Sequence, residues 1–136
     1  MINRMNYDVA KVILFDKNDK LFIYLRDDKP TIPYPNMWDL LGGGIEPGET
    51  AEEAGIREVE EEIGVKTDQL ETFGHYVSEE GFRMTILVGR IDAVPENLLL
   101  TEGQRLTSIA LADLEQYEMV PILAQAVRDL RDNQAD

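Results

Sequence analysis

Cysteine is missing from all 136 residues, and histidine occurs once, at His75. The first absence excludes disulfides, thiolate nucleophiles, CxxC redox chemistry and cysteine zinc sites. The second excludes any site built on two imidazoles. His75 lies in a strand-like stretch and reads as an ordinary strand-face residue. No apolar run approaches the ~18 residues of a membrane span, and the opening MINRMNYDVAKV has no signal-peptide core. A cytoplasmic protein with no membrane partner is the expectation. Positive charge is scarce as well: 13 Lys and Arg against 27 Asp and Glu leave a formal net charge of −14. Such a surface repels nucleic-acid backbones, which are bound through basic side chains at phosphates. A small polyanion stays admissible if metal ions bring the compensating charge. Repeats, linkers and low-complexity tracts are also lacking. The length and the 43% hydrophobic content suit one domain over residues 1–136.

Residues Asp8–Phe15 and Leu21–Arg26 are rich in β-formers, and the DKNDK between them is turn-like, so they read as a hairpin. The three prolines of Asp27–Met37 make a loop, and Trp38–Leu41 reads as a short strand entering three glycines. Thr50–Ile63 has the marks of a helix: Thr50 and Glu53 form a capping box, Ile56, Val59 and Ile63 an apolar face, and Gly64 a stop. Glu71–Val77 and Phe82–Ile91 read as a second hairpin turned at Ser78–Gly81. Gln104–Ile109 is a further strand, Leu111–Tyr117 a short helical piece, and Pro121–Asp132 a closing amphipathic helix. The order implies an α/β fold, a mixed sheet covered on both faces.

The stretch GGGIEPGETAEEAGIREVEEEIGV, from Gly42 to Val65, holds eight carboxylates and a single cation, Arg57. Glu58, Glu61 and Glu62 stand at i, i+3 and i+4, which places three carboxylates side by side on one helix face. Taken alone this is a solvated acidic face. The glycines, which let a backbone approach a ligand, and Glu49 just ahead of the helix change that reading. Hard divalent cations take oxygen ligands of this kind, together with waters and substrate phosphates.

Gly43, Glu49, Arg57, Glu58, Val59, Glu61, Glu62, Gly64 and Val65 match every specified position of the pattern G-x5-E-x7-R-E-U-x-E-E-x-G-U, where U is a bulky aliphatic. The chain thereby resembles the Nudix hydrolase family, and the order of its elements is similar to the Nudix α/β/α sandwich. The resemblance implies Mg²⁺, with Mn²⁺ as a substitute, held by Glu58, Glu61, Glu62, the carbonyl of Gly42 and a carboxylate from a later loop, for which Glu102 fits and Glu96 is the runner-up. It implies that Arg57 and Glu49 orient the carboxylates and that Glu61, or else Glu58, activates water. Arg26, Gly42 and Gly43 match places where members meet substrate, and Trp38 beside the glycines could stack on a base. The implied activity is hydrolysis of a nucleoside diphosphate linked to a further group, here a (d)NTP pyrophosphohydrolase of house-cleaning type. Nucleotide-sugar or ADP-ribose hydrolysis is the alternative, and a non-catalytic nucleotide sensor comes third. Two departures stand out. Leu41 replaces the proline usual before the glycines, and Met119-Val120 stand where some members carry a polar base-reading side chain. A small nucleotide is the expected partner, nucleic acid is not, and a homodimer is open. Without metal, mutual repulsion should raise the pKa of some clustered carboxylates.

Overall fold

Strand β1 (Val9–Phe15) buries every side chain from Ala10 onward, Lys11 included, so it must be covered on both faces. The computed structural model, which describes residues 8–134, supplies both covers. Side chains alternate along a strand with a period of two. Ala10, Val12 and Leu14 accordingly join one apolar cluster with helix α1 (Ala51–Ile63), while Ile13 and Phe15 join a second with helix α2 (Pro121–Gln134).

The other strands are β2 (Leu21–Leu25), β3 (Trp38–Asp39), β4 (Leu41–Gly44), β5 (Glu71–Val77), β6 (Arg83–Arg90) and β7 (Arg105–Ile109). Along one side β1 pairs in parallel with β6 over its full length, from Val9↔Met84 to Phe15↔Arg90. Its other side is shared. Val9–Val12 pair antiparallel with β4, and Phe15 alone faces Leu21 of β2. Strand β2 runs on to pair with β7 on one side and β3 on the other, and β5 borders β6 with a shift in register between Thr72 and Gly74. This is the expected mixed sheet with a helix on each face. Among the described residues no helix is long and apolar enough to cross a membrane.

The second expected hairpin forms along its length, the first closes its turn at Phe15↔Leu21 and then parts as β4 takes the side of β1, and Leu111–Gln116 is a 3-10 turn. The Trp38–Leu41 strand does not form as one piece. The chain breaks at Leu40, which packs in the α2-side cluster, while Leu41 packs in the α1-side cluster. The break lets the chain cross from β2 to β1, and it makes the three glycines part of a paired strand, not a loop. On α1 the capping box at Thr50 and Glu53 is present, and Gly64 ends the helix in the left-handed conformation. Val59 and Ile63 are buried, Ile56 is half-buried, and Glu62 is buried beside them.

The first hairpin turns on Asp16, whose carboxylate is almost wholly covered. It accepts the backbone N–H groups of Asn18 and Lys20 and the hydroxyl of Ser108, at 2.8, 3.0 and 2.6 Å. Burial alone would push its carboxyl up, but the bonds from Ser108, Lys20 and Asn18 outweigh burial and leave it below the usual aspartate value. A carboxyl depressed by folding stabilises the protein above its unfolded pKa, and that contribution fades as pH falls through the folded value. Asp16→Asn is expected to cost about 1–3 kcal/mol in urea unfolding at neutral pH. The gap between variant and wild type should shrink as the pH drops below the ordinary aspartate value of 3.8. A gap independent of pH would show that the charge of Asp16 is not what holds the turn.

Candidate active site

The acidic patch is built by β4 and the helix that follows it. Gly42 pairs with Lys11 in the sheet, and its N–H points out to the Oε1 of Glu62 at 2.8 Å. Gly43 lies under the Glu58 carboxylate. A Cβ at residue 43 would stand 2.5–2.7 Å from the three carboxylate atoms of Glu58, so no larger residue fits there with that carboxylate in place. The glycines therefore seat two box glutamates directly on the sheet.

Arg57 ties the loop to the helix. Its Nε and Nη2 donate to the two oxygens of Glu49 at 2.7 and 3.0 Å, Nη2 also reaches the carbonyl of Gly44 at 2.9 Å, and Nη1 meets Glu61 at 3.2 and 3.3 Å. This planar fork fixes the turn that launches α1. In return Arg57 holds Glu49 below the usual carboxylate range, helped by the N–H of Glu46. Glu61 keeps a side chain 58% exposed.

Glu58 and Glu62 are both pushed up, Glu62 to about 8. Repulsion was the expected cause, yet burial is the leading one for each. For Glu62 the neighbours Glu58 and Glu102 add to it, and Lys11 and the Gly42 N–H oppose it. Glu62 is thus not part of an exposed acidic rim. It turns inward, level with Val59 and Ile63.

Glu102 arrives from far along the chain. Thr101 docks on the last turn of α1, its N–H donating to the carbonyl of Glu62 at 3.0 Å and its hydroxyl to that of Glu61 at 2.9 Å. These are carbonyls that a helix end leaves unsatisfied. The next residue, Glu102, comes within hydrogen-bonding reach of the Glu62 side chain. Glu96, the other possibility, sits exposed in a 3-10 turn at Pro95–Asn97.

Glu49, Glu58 and Glu61 share Arg57 while Glu62 takes the Gly42 N–H, and among the described residues no three acidic or histidine side chains are already gathered as a metal-ligand set. The donor set nevertheless fits a hard cation. Glu62 Oε2 is buried with no hydrogen-bond partner, and the group beside it, Glu102, is another acceptor. An orphaned buried acceptor costs about 1–3 kcal/mol. A divalent cation is a partner that serves both oxygens at once. Glu58 and Glu61 project from the same helix, four and one residues before Glu62.

The remaining expected residues lie around this core. Arg26 follows the last residue of β2 and is latched by Nη1 to Asp39 at 2.8 Å and by Nε to the carbonyl of Pro33 at 3.0 Å. It lines an open cavity of about 190 Å³ with Tyr24, Asp27, Ile32, Glu102 and Gly103. Trp38 packs with the α2-side cluster, edge-on to Tyr117 at 5.6 Å between ring centroids, and is not among the carboxylates. His75 is an exposed strand residue beside Thr85. The two loops that flank the sheet are joined by a hydrogen bond from the Tyr34 hydroxyl to Glu80 at 2.7 Å. Sequence reasoning missed Thr101, Lys11 and Asp39. None of the three carried a local signal: Thr101 bonds a helix end 40 residues earlier in the chain, and a lone Lys and a lone Asp inside strands point to nothing by themselves.

The Nudix domain model matches residues 5–130. The chain belongs to the Nudix family. Nucleoside triphosphatase NudI of Escherichia fergusonii is 29% identical over 118 residues, covering 76% of this chain and 82% of the relative. Nudix hydrolase 3 of Caenorhabditis elegans is 35% identical over 91 residues, and a putative 8-oxo-dGTP diphosphatase of Bacillus subtilis is 42% identical over 55. Those matches cover 62% and 40% of this chain but only 35% and 33% of the relatives, so the chain spans about a third of their length. The crystal structure of a MutT protein from Methanosarcina mazei Go1 superimposes with a TM-score of 0.76 at 16% identity over 96% of both chains, which establishes a shared fold.

The seat of Glu58 yields a test by thermal shift. Gly43→Ala should displace the Glu58 carboxylate and shrink the rise in Tm on adding Mg²⁺. Gly44→Ala, whose Cβ would meet nothing within 4 Å, should respond like wild type. Equal rises in the two variants would show that cation binding does not need Glu58 where Gly43 holds it.

Proposed function

We propose that this Nudix protein is a Mg²⁺-dependent pyrophosphohydrolase of nucleoside triphosphates, of the house-cleaning type. The observation that carries the reading is the orphaned Oε2 of Glu62, buried beside Glu102 and next to Glu58 at the C-terminal half of α1. Glu58, Glu61, Glu62 and Glu102 would hold Mg²⁺, with the Gly42 carbonyl as a backbone ligand and Mn²⁺ as a substitute. Bound there, the cation supplies Lewis-acid polarisation of the phosphoryl oxygens and lowers the pKa of water. The chain's own residues do the rest. Glu61, the most solvent-open of the three helix carboxylates, takes the proton from the attacking water, with Glu58 as the reserve base. Arg57 holds Glu61 from one side while Glu49 holds Arg57 in place, so the base keeps its aim during the reaction. Arg26, at the rim of the cavity that Glu102 also lines, meets the phosphate chain. The names of relatives, NudI nucleoside triphosphatase and a putative 8-oxo-dGTP diphosphatase, support a triphosphate over other phosphate esters.

Phosphate release across a panel of (d)NTPs, NDP-sugars, ADP-ribose and dinucleoside polyphosphates tests the reading. Activity on (d)NTPs should require Mg²⁺ or Mn²⁺ and vanish in EDTA. Glu61→Gln should lower kcat by about 10²–10⁴-fold, the usual worth of a positioned general base. Glu62→Gln should raise the Mg²⁺ concentration needed for half activity. Wild-type rates in both variants would remove these residues from the site, and turnover confined to ADP-ribose or NDP-sugars would replace the substrate assignment.

A further inference from the structure

The divided sheet leaves a polar seam. Asp39, the last residue of β3, lies 2% exposed where β1 passes from β4 to β2. Its carboxylate collects Arg26 Nη1 at 2.8 Å, Lys11 Nζ at 3.2 Å from each oxygen, the Tyr24 hydroxyl at 3.2 Å and the N–H of Leu40 at 2.7 Å. Lys11 also donates to the carbonyl of Leu40 at 3.2 Å. A buried carboxylate with so many donors has one available pose, and it imposes that pose on its partners.

An ion pair that merely held strands together would end there, but Arg26 faces outward. Burial works against its charge, and the bond from Asp39 more than restores it. With Nη1 on Asp39, Nε on Pro33 and Tyr24 beside it, the guanidinium is held in one pose, and Arg26 borders the cavity whose wall includes Glu102. In that open cavity of about 190 Å³ Arg26 is the one cationic lining residue, facing the carboxyl-bearing Asp27 and Glu102. We propose that Asp39 is a positioning residue for substrate binding: by clamping the Arg26 guanidinium between itself and Pro33, it presents a preset cation to the phosphate chain beside Glu102. Arginine otherwise loses rotamer freedom when it grips a ligand, and here that loss is taken on folding. The inference rests on the nucleotide-hydrolase reading given above and adds how the substrate's phosphates are gripped.

The test combines steady-state kinetics on a (d)NTP with calorimetric binding of its non-hydrolysable α,β-methylene analogue in Mg²⁺. Asp39→Asn should raise KM and the analogue's Kd by about tenfold, in the range of one lost charge-assisted contact, while kcat stays within about threefold. Arg26→Gln should do the same, and the double variant should be no worse than Arg26→Gln alone. Arg26→Lys covers the case of an unfolded Asp39→Asn, because it keeps the charge but cannot span Asp39 and Pro33 together, and it should also raise KM. A fall in kcat at unchanged KM, additive effects in the double variant, or a wild-type KM in Arg26→Lys would overturn the proposal. A wild-type protein that binds the analogue in an Asp39-dependent way yet hydrolyses nothing would sink the hydrolase reading alone. Normal turnover with an unchanged KM in Asp39→Asn would sink the positioning role alone. Absence of analogue binding in the wild type would overturn both.

Discussion

A carboxylate placed under a helix, where water cannot reach it, governs this molecule. Glu62 sits at the level of the core with one oxygen on a backbone N–H and the other without a donor. Ionised carboxylates are rarely buried unless paired. The surroundings of Glu62 offer only partial compensation: one amide, one ammonium at the distance of Lys11, and two further carboxylates that worsen its position. In the protein alone the resolution is a proton, as the raised pKa of Glu62 indicates. In the proposed complex with a divalent cation the resolution would be the ion. The neighbouring architecture makes that exchange local. The strand below is glycine where the carboxylates land, and the helix above is held at its start by a capping box and by Arg57.

The second organising feature is the way β1 shares one side between two partners. A sheet that simply continued would have no gap at Leu40. Because β4 leaves β1 and β3 joins β2, the chain between them must cross, and the crossing is filled by the charges of Lys11, Asp39 and Arg26 together with the neutral Tyr24 hydroxyl. Such buried networks stabilise only when each member is satisfied. Asp39 achieves this by serving several donors at once, and the seam connects the carboxylate side of the sheet to the cavity lined by Arg26.

Much of this was legible in the chain. The helix, its cap, its stop and its acidic spacing follow from local rules, because the groups involved are at most four residues apart. The family pattern lies inside that same stretch. What was misread required tertiary knowledge. Glu58, Glu61 and Glu62 read as equals on one face, yet their exposure differs sharply, since the sheet approaches the helix on the Glu62 side. The glycines read as a loop because glycine disfavours strands, but close approach of Glu58 explains them within one. Trp38–Leu41 read as continuous because nothing local marks Leu40 as the residue where two pairings part. Asp39 and Lys11 carry opposite charges 28 positions apart, and only the fold makes them a pair.

Thr101 shows how a distant loop can be made part of a helix. Its two bonds land on the final carbonyls of α1, while Gln104, two residues beyond Glu102, donates its N–H to the carbonyl of Leu25 and its side-chain amide to that of Arg26, so the loop bearing Glu102 is pinned between the helix end and β2. Helix ends fray before helix middles do. An opening of that last turn would loosen the loop at Thr101 while Gln104 still held it to β2, so Glu102 would keep its place beside the sheet as Glu61 moved with the helix end.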